Sequence, residues 1–248
     1  MLIRILKKGF LAAFAVLGLE AAYAVLRPAP ELPEFDPSAT LGDPNNPPLR
    51  VAVLGDSSVT APGVSGPDEI WVTLVCKRLA ETHHVTLKSF AVGGSKASDL
   101  IENQLEDAIA FEPDLIFVSV GANDALRFIP KQRFRQNLDY LIGRLAETGA
   151  LVVQSGVGDL GTIPRFHPPL RNLMTRRGAA FDAIHREVAA RHGTVVIDRR
   201  DEDAEPWYNE RELWAEDLFH VSAAGHALWA EMVWRTVAPL FAKADAER

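Results

Sequence analysis

Residues 51–58, VAVLGDSS, contain the turn around which the rest of the fold can be placed. Val51–Leu54 is a short apolar run of the kind found in strands that are buried on both faces of a parallel sheet. Gly55 permits a tight turn, and Ser57 then lies at an exposed tip, beside the free N–H groups that open a helix. The stretch therefore predicts the strand–turn–helix unit of an α/β protein.

Further apolar runs predict the other strands: Val85–Val92, Leu115–Val120, Leu151–Gln154 and Val195–Ile197. The first of these is the most mixed, which favours a position nearer the edge of the sheet. Amphipathic stretches between the strands predict helices, most clearly at Gln132–Thr148, at Arg177–Arg191 and from Ser222 past Trp234. Strands that alternate with helices require right-handed crossovers. We therefore expect a three-layer α/β/α sandwich around a mainly parallel sheet of about five strands.

The composition limits the class of protein. The chain has 248 residues, of which 48% are hydrophobic and 24% charged, and its formal net charge is −7. This length suits one α/β domain with a substantial core. An acidic surface repels phosphate backbones, so we do not expect nucleic acid as a partner. Cys76 is the only cysteine, which rules out an internal disulfide and a multi-cysteine metal site. We expect no metal and no cofactor.

The first 27 residues differ from the rest of the chain. Basic residues near the start precede an uncharged stretch, Gly9–Leu19, and Ala22-Tyr23-Ala24 offers the small residues that signal peptidase accepts. Residues 1–27 are therefore predicted to be a signal peptide or an N-terminal membrane anchor, with the bulk of the chain exported. If the segment is not cleaved, we expect it to contact the membrane.

The residues that follow are predicted to form a linker and then one domain. Residues 28–49 are rich in proline, which is typical of an extended spacer. The strand and helix patterns begin at residue 50, so we expect the folded domain to cover residues 50–243.

Polar loops carry the residues suited to chemistry: Gly55-Asp56-Ser57-Ser58, Gly93-Gly94-Ser95, Gly121-Ala122-Asn123-Asp124 and Asp217-Leu218-Phe219-His220. Ligand sites of parallel sheets form beyond the carboxyl ends of the strands, where the first three loops begin. In the fourth, a carboxylate three residues before a histidine can hold Nδ1 of the imidazole and leave Nε2 free as a base. Each loop alone also has an ordinary explanation as a turn, a helix cap or surface decoration.

Together, the order of the four loops resembles the SGNH (GDSL-type) hydrolase family, over most of the chain from Arg50 to Trp234. The resemblance implies a flavodoxin-like fold and a catalytic triad of Ser57, Asp217 and His220. It also implies an oxyanion hole formed by the backbone N–H groups of Ser57 and Gly94 and the side chain of Asn123. Within these roles Ser57 is the nucleophile, His220 the general base, and Asp217 the residue that orients His220.

The chain departs from the family pattern in two places. Ser58 replaces the leucine of the name-giving motif. Phe90-Ala91 stand where the family often has an asparagine and a further glycine, which leaves the choice between Gly93 and Gly94 as the oxyanion donor open. We expect Asp56 and Asp124 to hydrogen-bond the backbones of their loops.

The expected function is hydrolysis of a small-molecule, lipid or sugar ester. The long connection Gly156–Arg177 should overhang Ser57 and line an apolar pocket, which favours short to medium acyl chains or lysolipid-type esters. A lipase-like serine esterase is therefore the leading hypothesis. The alternatives are a carbohydrate O-acetyl esterase of the cell envelope and a membrane-tethered binding module without catalysis.

Overall fold

A computed structural model describes residues 15–24 and 26–246 of the chain. Within them, the strands form a single sheet of six in the order β1-β3-β2-β4-β5-β6. β1 pairs antiparallel with β3, and every other pair is parallel. The strands are β1 (Ala39–Leu41), β2 (Pro48–Gly55), β3 (His84–Ser89), β4 (Leu115–Ser119), β5 (Leu151–Ser155) and β6 (Val195–Ile197).

Helices cover both faces of this sheet. α3 packs against α10 on one side, while α4, α5, α7 and α8 contact one another on the other side, so the expected three-layer α/β/α architecture is confirmed. The helices are α1 (residues 15–24), α2 (Ser57–Thr60), α3 (Trp71–Leu79), α4 (Ala97–Asn103), α5 (Leu105–Ala110), α6 (Ala122–Leu126), α7 (Lys131–Ala146), α8 (Leu170–His192), α9 (Glu205–Asn209) and α10 (Ala223–Ala246).

The centre of the sheet is the most apolar part of the fold. All five residues of β4 are buried, as are the last five of β2. Between the sheet and α3, the ring of Trp71 packs edge-on against Phe117 at 5.4 Å. Strands enclosed by helices on both sides need continuous apolar sequence rather than alternation, which is why the sequence predicted these strands well.

The parallel register brings the chemistry-bearing loops to one edge. Gly55 of β2 lies opposite Ser119 of β4, which lies opposite Ser155 of β5. The chain leaves all three strands at this edge, so the turns after them begin side by side. This edge is where a parallel sheet forms ligand sites.

The structure differs from the predicted elements at several boundaries. The helix predicted to begin at Arg177 begins at Leu170, because Leu170, Met174 and Phe181 continue one buried face across arginines that suggest a loop. The sheet has six strands rather than about five. The additional strand, β1, lies inside the proline-rich segment predicted as a linker, and β2 begins at Pro48, before the boundary expected at residue 50.

The N-terminal segment packs against the domain where it is described. Ala24 is buried, and Leu17 and Ala21 contact the hydrophobic core, whereas Leu19 and Tyr23 are exposed. The predicted basic flank and the first part of the uncharged stretch, residues 1–14, lie outside the described residues. In the part of the chain that the structure describes, no helix has the length and apolar character needed to cross a membrane.

Candidate active site

Ser57, Asn123 and His220 line one cavity at the carboxyl edge of the sheet. Its volume is about 130 Å³. Most of the wall is apolar or aromatic, and it includes Leu160, Ile163, Trp207, Trp214, Phe219 and Trp229. The connection after β5 therefore supplies part of the wall, as the sequence predicted. Trp207 and Trp214, which precede the Asp217 loop in the sequence, also line the cavity.

Asp217 and His220 form a short-range pair within one turn. The Nδ1 atom of His220 lies 2.6 Å from Oδ2 of Asp217. The other carboxylate oxygen accepts the backbone N–H groups of Phe219 at 2.9 Å and His220 at 3.0 Å. Leu218 adopts a left-handed conformation with φ 63°, which turns the chain tightly enough for these contacts. The carboxylate thus fixes the orientation of the ring.

The ionisation of Asp217 follows from these contacts. Burial of the carboxyl group raises its pKa, but the hydrogen bonds from the His220 side chain and from the two backbone N–H groups outweigh that effect. Their sum lowers the pKa of Asp217 to about 2. Asp217 therefore carries its negative charge at every pH at which an esterase is normally assayed.

Ser57 is the first residue of α2, and Asp56 caps that helix. Oδ1 of Asp56 accepts the backbone N–H of Ser58 at 2.9 Å, and the hydroxyl of Ser58 donates to Ser119 at 2.7 Å. The Ser57 hydroxyl makes no hydrogen bond with any described residue, His220 included, although both side chains line the cavity. Catalytic hydrogen bonds are often long before substrate binds.

Asn123 is held by Asp56. Its Nδ2 donates to Oδ2 of Asp56 at 3.0 Å, which leaves the second amide hydrogen without a partner among the described residues. Burial raises the pKa of the Asp56 carboxyl group. Next in the chain, Asp124 accepts the backbone N–H of Ala97 at 3.0 Å, and burial raises its pKa to about 6. Asp56 thus makes the hydrogen bond to its own loop that was expected, and it also orients a side chain in the cavity. Asp124 instead bonds the backbone at the start of α4.

Neither Gly93 nor Gly94 is among the described residues that line the cavity. Gly94 has φ 75°, a left-handed conformation that favours glycine, and a Cβ atom there would lie 3.4 Å from the Arg127 side chain. At Gly93 a Cβ atom would collide with the carboxylate of Glu34. The backbone conformation therefore requires glycine at position 94, whereas at position 93 the exposed Glu34 side chain can move away from a larger residue.

Some cavity residues lie outside the four polar loops that the sequence singled out. Arg199 follows β6 and lines the cavity. His226 is buried, accepts the backbone N–H of Trp71 at 3.3 Å and stacks on Trp229. Burial lowers the pKa of His226 to about 3, so its ring is neutral near pH 7. Among the side chains that the structure describes, no group of three or more His, Cys, Asp or Glu residues is placed to hold a metal ion.

Comparison with known proteins identifies the family. Residues 53–228 match the GDSL-like lipase/acylhydrolase family. This chain belongs to that family. The resemblance seen in the sequence motifs is thus confirmed, and with it the SGNH/GDSL fold class.

Several GDSL-type relatives are esterases. A GDSL-like esterase of Mycobacterium tuberculosis is 26% identical over 191 residues, which cover 75% of this chain and 60% of the relative's length. Esterase TesA of Pseudomonas aeruginosa is 27% identical over 195 residues, covering 76% of this chain and 87% of the relative. A crystal structure of TesA matches with a TM-score of 0.64 at 26% identity, covering 77% of this chain and 99% of that structure. These relatives support a carboxylic ester hydrolase.

Proposed function

We propose that this chain hydrolyses carboxylic esters through an acyl-enzyme intermediate on Ser57. The observation that carries the proposal is the 2.6 Å contact between Asp217 and His220, on a ring that lines the same cavity as Ser57 and Asn123. A serine becomes a nucleophile when a positioned base can remove its proton. The pair on this turn supplies such a base.

The proposed reaction proceeds in two halves. The Ser57 hydroxyl attacks the ester carbonyl while Nε2 of His220 takes its proton, and the ionised Asp217 stabilises the imidazolium that forms. His220 then protonates the leaving alcohol, and the acyl group remains on Ser57. Water then attacks the acyl carbonyl while His220 takes one of its protons. The bond between the acyl carbon and the Ser57 oxygen breaks, His220 returns the proton to Ser57, and the acid leaves. Asp217 itself keeps its charge throughout, in agreement with its low pKa.

The tetrahedral intermediate needs donors for its oxyanion. We assign this role to the backbone N–H groups of Ser57 and Gly94 and to Nδ2 of Asn123. Asn123 suits it because Asp56 holds one of its amide hydrogens at 3.0 Å and so orients the other. A preorganised donor of this kind typically contributes a factor of about 10²–10³ to kcat. Gly93 is the alternative to Gly94.

The size and lining of the cavity favour a short to medium acyl chain. A dry apolar cavity of about 150 Å³ accommodates benzene, and the volume here is about 130 Å³. Each CH₂ group placed against apolar walls contributes about 0.8 kcal/mol until the space is filled. We therefore expect activity to rise from acetate to butyrate and to decline once the acyl chain exceeds the cavity.

The proposal extends to location. Residues 1–27 would direct export as a signal peptide or an anchor, and the hydrolase domain would act outside the cytoplasm, where lipid-derived esters are available. The exposed apolar side chains of Leu19 and Tyr23 on α1 suit contact with a membrane surface if the segment is retained.

Covalent labelling and a substrate series test the activity. Intact-protein mass spectrometry after exposure to a fluorophosphonate should show one adduct on the wild-type chain and on Ser58→Ala, and none on Ser57→Ala. A series of p-nitrophenyl esters from acetate to decanoate should give the highest kcat/KM near butyrate or hexanoate. An adduct on Ser57→Ala would overturn the nucleophile. Turnover of acetate alone would instead favour the carbohydrate O-acetyl esterase, and no adduct at all would favour a binding module.

A further inference from the structure

Arg199 places a cation in the wall of the active-site cavity. Its guanidinium carbon lies 3.8 Å from the centre of the Trp229 ring, a stacked arrangement. At the edge of the same group, Nη2 donates to the backbone carbonyls of Gly156 at 2.6 Å and Val157 at 3.2 Å. A guanidinium held by one face and one edge has little rotational freedom left to lose when it binds a ligand.

This cation lacks a counterion within the described side chains. No described carboxylate lies within 4.0 Å of Arg199, and its Nε atom is buried without a hydrogen-bond partner. The acids whose charge acts on Arg199 are Asp182, Asp56 and Asp198. Asp182 contacts Arg200 and Asp198 contacts Arg186 at 2.8 Å, whereas Asp56 forms no ion pair with a described residue and lies farther than 4.0 Å from Arg199. Burial lowers the pKa of Arg199 to about 10, so the side chain remains charged at neutral pH.

Two carboxylates also line the cavity, and both accept hydrogen bonds from uncharged groups without forming an ion pair with Arg199. Asp56 accepts hydrogen bonds from Ser58 and Asn123. Asp159 accepts the hydroxyl of Tyr208 at 2.6 Å and the backbone N–H of Gly161 at 2.8 Å. A charge that is buried without a partner is unfavourable, and a ligand that supplies the opposite charge relieves that cost. Because no described carboxylate forms an ion pair with Arg199, an anionic ligand in the cavity would be its direct counterion.

We propose that Arg199 forms an anion subsite, so that the preferred substrates are esters that carry a carboxylate or phosphate group a few bonds from the scissile carbonyl. The inference rests on the proposed esterase function and deepens it by naming the substrate class. The anionic group can belong to the acyl part, as in a half-ester of a dicarboxylic acid, or to the alcohol, as in an acylated glycerol phosphate. Both supply an anionic acceptor of the kind that a planar guanidinium binds well, and Arg199 lines the same cavity as Ser57.

Matched pairs of esters test the subsite. For the acyl part, p-nitrophenyl hydrogen glutarate is compared with p-nitrophenyl valerate. For the alcohol, 1-butyryl-glycerol 3-phosphate is compared with glycerol monobutyrate. The wild-type chain should prefer the anionic member of at least one pair in kcat/KM. Arg199→Gln should lower that ratio by about tenfold to a hundredfold, as expected for a charge-assisted hydrogen bond, mainly through KM.

Two further variants complete the design. Arg133→Gln removes an exposed arginine of α7 that lies outside the cavity, and it should leave the ratio unchanged. Arg199→Lys keeps the charge without the planar fork and should give an intermediate ratio, which also serves if Arg199→Gln fails to fold. No preference for an anion in either pair, or a preference that persists in both Arg199 variants, would overturn the subsite.

A binding measurement separates failure of the subsite from failure of the esterase. Calorimetry with glutarate and with glycerol 3-phosphate on Ser57→Ala should detect binding that is lost in the Ser57→Ala, Arg199→Gln double variant. If no ester is hydrolysed but this difference is observed, the proposed function is wrong and the anion site stands. If esters are hydrolysed and neither anion binds in either protein, the anion site is wrong and the esterase stands.

Discussion

The guanidinium of Arg165 donates a hydrogen bond of 2.8 Å to the backbone carbonyl of Asp217. The same buried side chain donates to the carbonyl of Ala24, at the end of α1, at 2.6 Å and also to the carbonyl of Arg27. The backbone N–H of Arg165 donates to Leu218 in the Asp217 turn at 3.2 Å. One cation therefore joins the N-terminal segment to the turn that holds the imidazole of His220.

Removal of the N-terminal segment should weaken this junction. A chain that starts at Pro28 lacks two of the carbonyls that Arg165 contacts, and hydrogen bonds to a charged group contribute about 1.5–3 kcal/mol each when buried. Water can take the place of some of the missing carbonyls, so we expect the free energy of unfolding to fall by about 2 kcal/mol. For a domain of this size, that lowers the melting temperature by about 4–8 °C. Differential scanning calorimetry of the full and shortened chains measures the difference.

Arg165→Lys is the matched variant for this experiment. It should destabilise the full chain by a similar amount and the Pro28 chain by less. The Pro28 chain already lacks the carbonyls of the N-terminal segment, so most of the hydrogen bonds that lysine cannot form are missing there in any case. Equal melting temperatures for the full and shortened chains would show that α1 contributes nothing to the fold. A chain that starts at Arg50 also loses β1 and exposes β3 as a new edge strand, so we expect it to aggregate.

The two serines of the Gly-Asp-Ser-Ser turn should differ sharply in function. Ser57→Ala should lower kcat for p-nitrophenyl butyrate by at least about a thousandfold, because the nucleophile is lost. Ser58→Ala removes one hydrogen bond of 2.7 Å to Ser119 and should lower the free energy of unfolding by about 1 kcal/mol, with a small change in kcat. Steady-state kinetics and urea unfolding of both variants check this, and comparable losses of kcat would contradict the assignment.

The contact between Asp56 and Asn123 should matter for catalysis as well as for folding. Asn123→Ala should lower kcat by about 10²–10³ if its amide stabilises the oxyanion. Asp56→Asn replaces the carboxylate that holds Asn123 with an amide, which orients Asn123 less well. We therefore expect kcat to fall by about tenfold, with little change in KM. In the double variant the effects should not add, because Asp56 acts through Asn123.

Asp124→Asn provides the control for Asp56→Asn. Asp124 is also a buried carboxylate, but it lies in α6 and accepts the backbone N–H of Ala97. The Asp124→Asn variant should have a lower melting temperature than the wild-type chain. Its kcat should change less than that of Asp56→Asn. Additive effects on kcat for Asp56 and Asn123 would mean that Asp56 is structural only.

The sequence predicted the central strands of the sheet far better than the edge strand β1 or the start of α8. Buried parallel strands need continuous apolar residues, and Val51–Leu54 and Leu115–Val120 have them. Three-residue β1 has no such pattern, because Ala39–Leu41 lies among prolines and glycine and forms a strand only by pairing with β3. The start of α8 was hidden for a different reason, since Arg171, Arg176 and Arg177 lie on its more exposed faces and interrupt the apolar run.

The candidate site shows the same division between local and long-range information. Asp217 and His220 are three residues apart, so their contact follows from one turn and can be expected from spacing alone. Arg165 and Arg199 bind backbone carbonyls that lie far away in the chain. Every residue has a carbonyl, so such contacts leave no pattern in the sequence that would reveal them.

Buried His185 should make the stability of the protein depend on pH. Its Nε2 lies 3.1 Å from the carbonyl of Val120, at the end of β4, and its Nδ1 lies 3.0 Å from the side chain of Gln154. Burial lowers the pKa of His185 to about 4, although the charge of Asp182 opposes that effect. The neutral ring makes both contacts when its Nε2–H donates to the carbonyl of Val120 and its Nδ1 accepts the side-chain amide N–H of Gln154.

The sign of the effect follows from which state binds the proton first. The unfolded chain protonates this histidine near pH 6.5, whereas the folded protein resists protonation until about pH 4. The unfolded state is therefore favoured progressively as the pH falls from 6.5 to 4, by up to about 3 kcal/mol, and there is no effect above that window. Urea unfolding at pH 7.5, 6.0, 5.0 and 4.5 should show this loss. The His185→Gln variant should have a lower free energy of unfolding at pH 7.5 and lose less of it on acidification. The dependence on pH that remains should come from His226. Parallel curves for the two proteins would show that His185 is protonated equally in the folded and unfolded states.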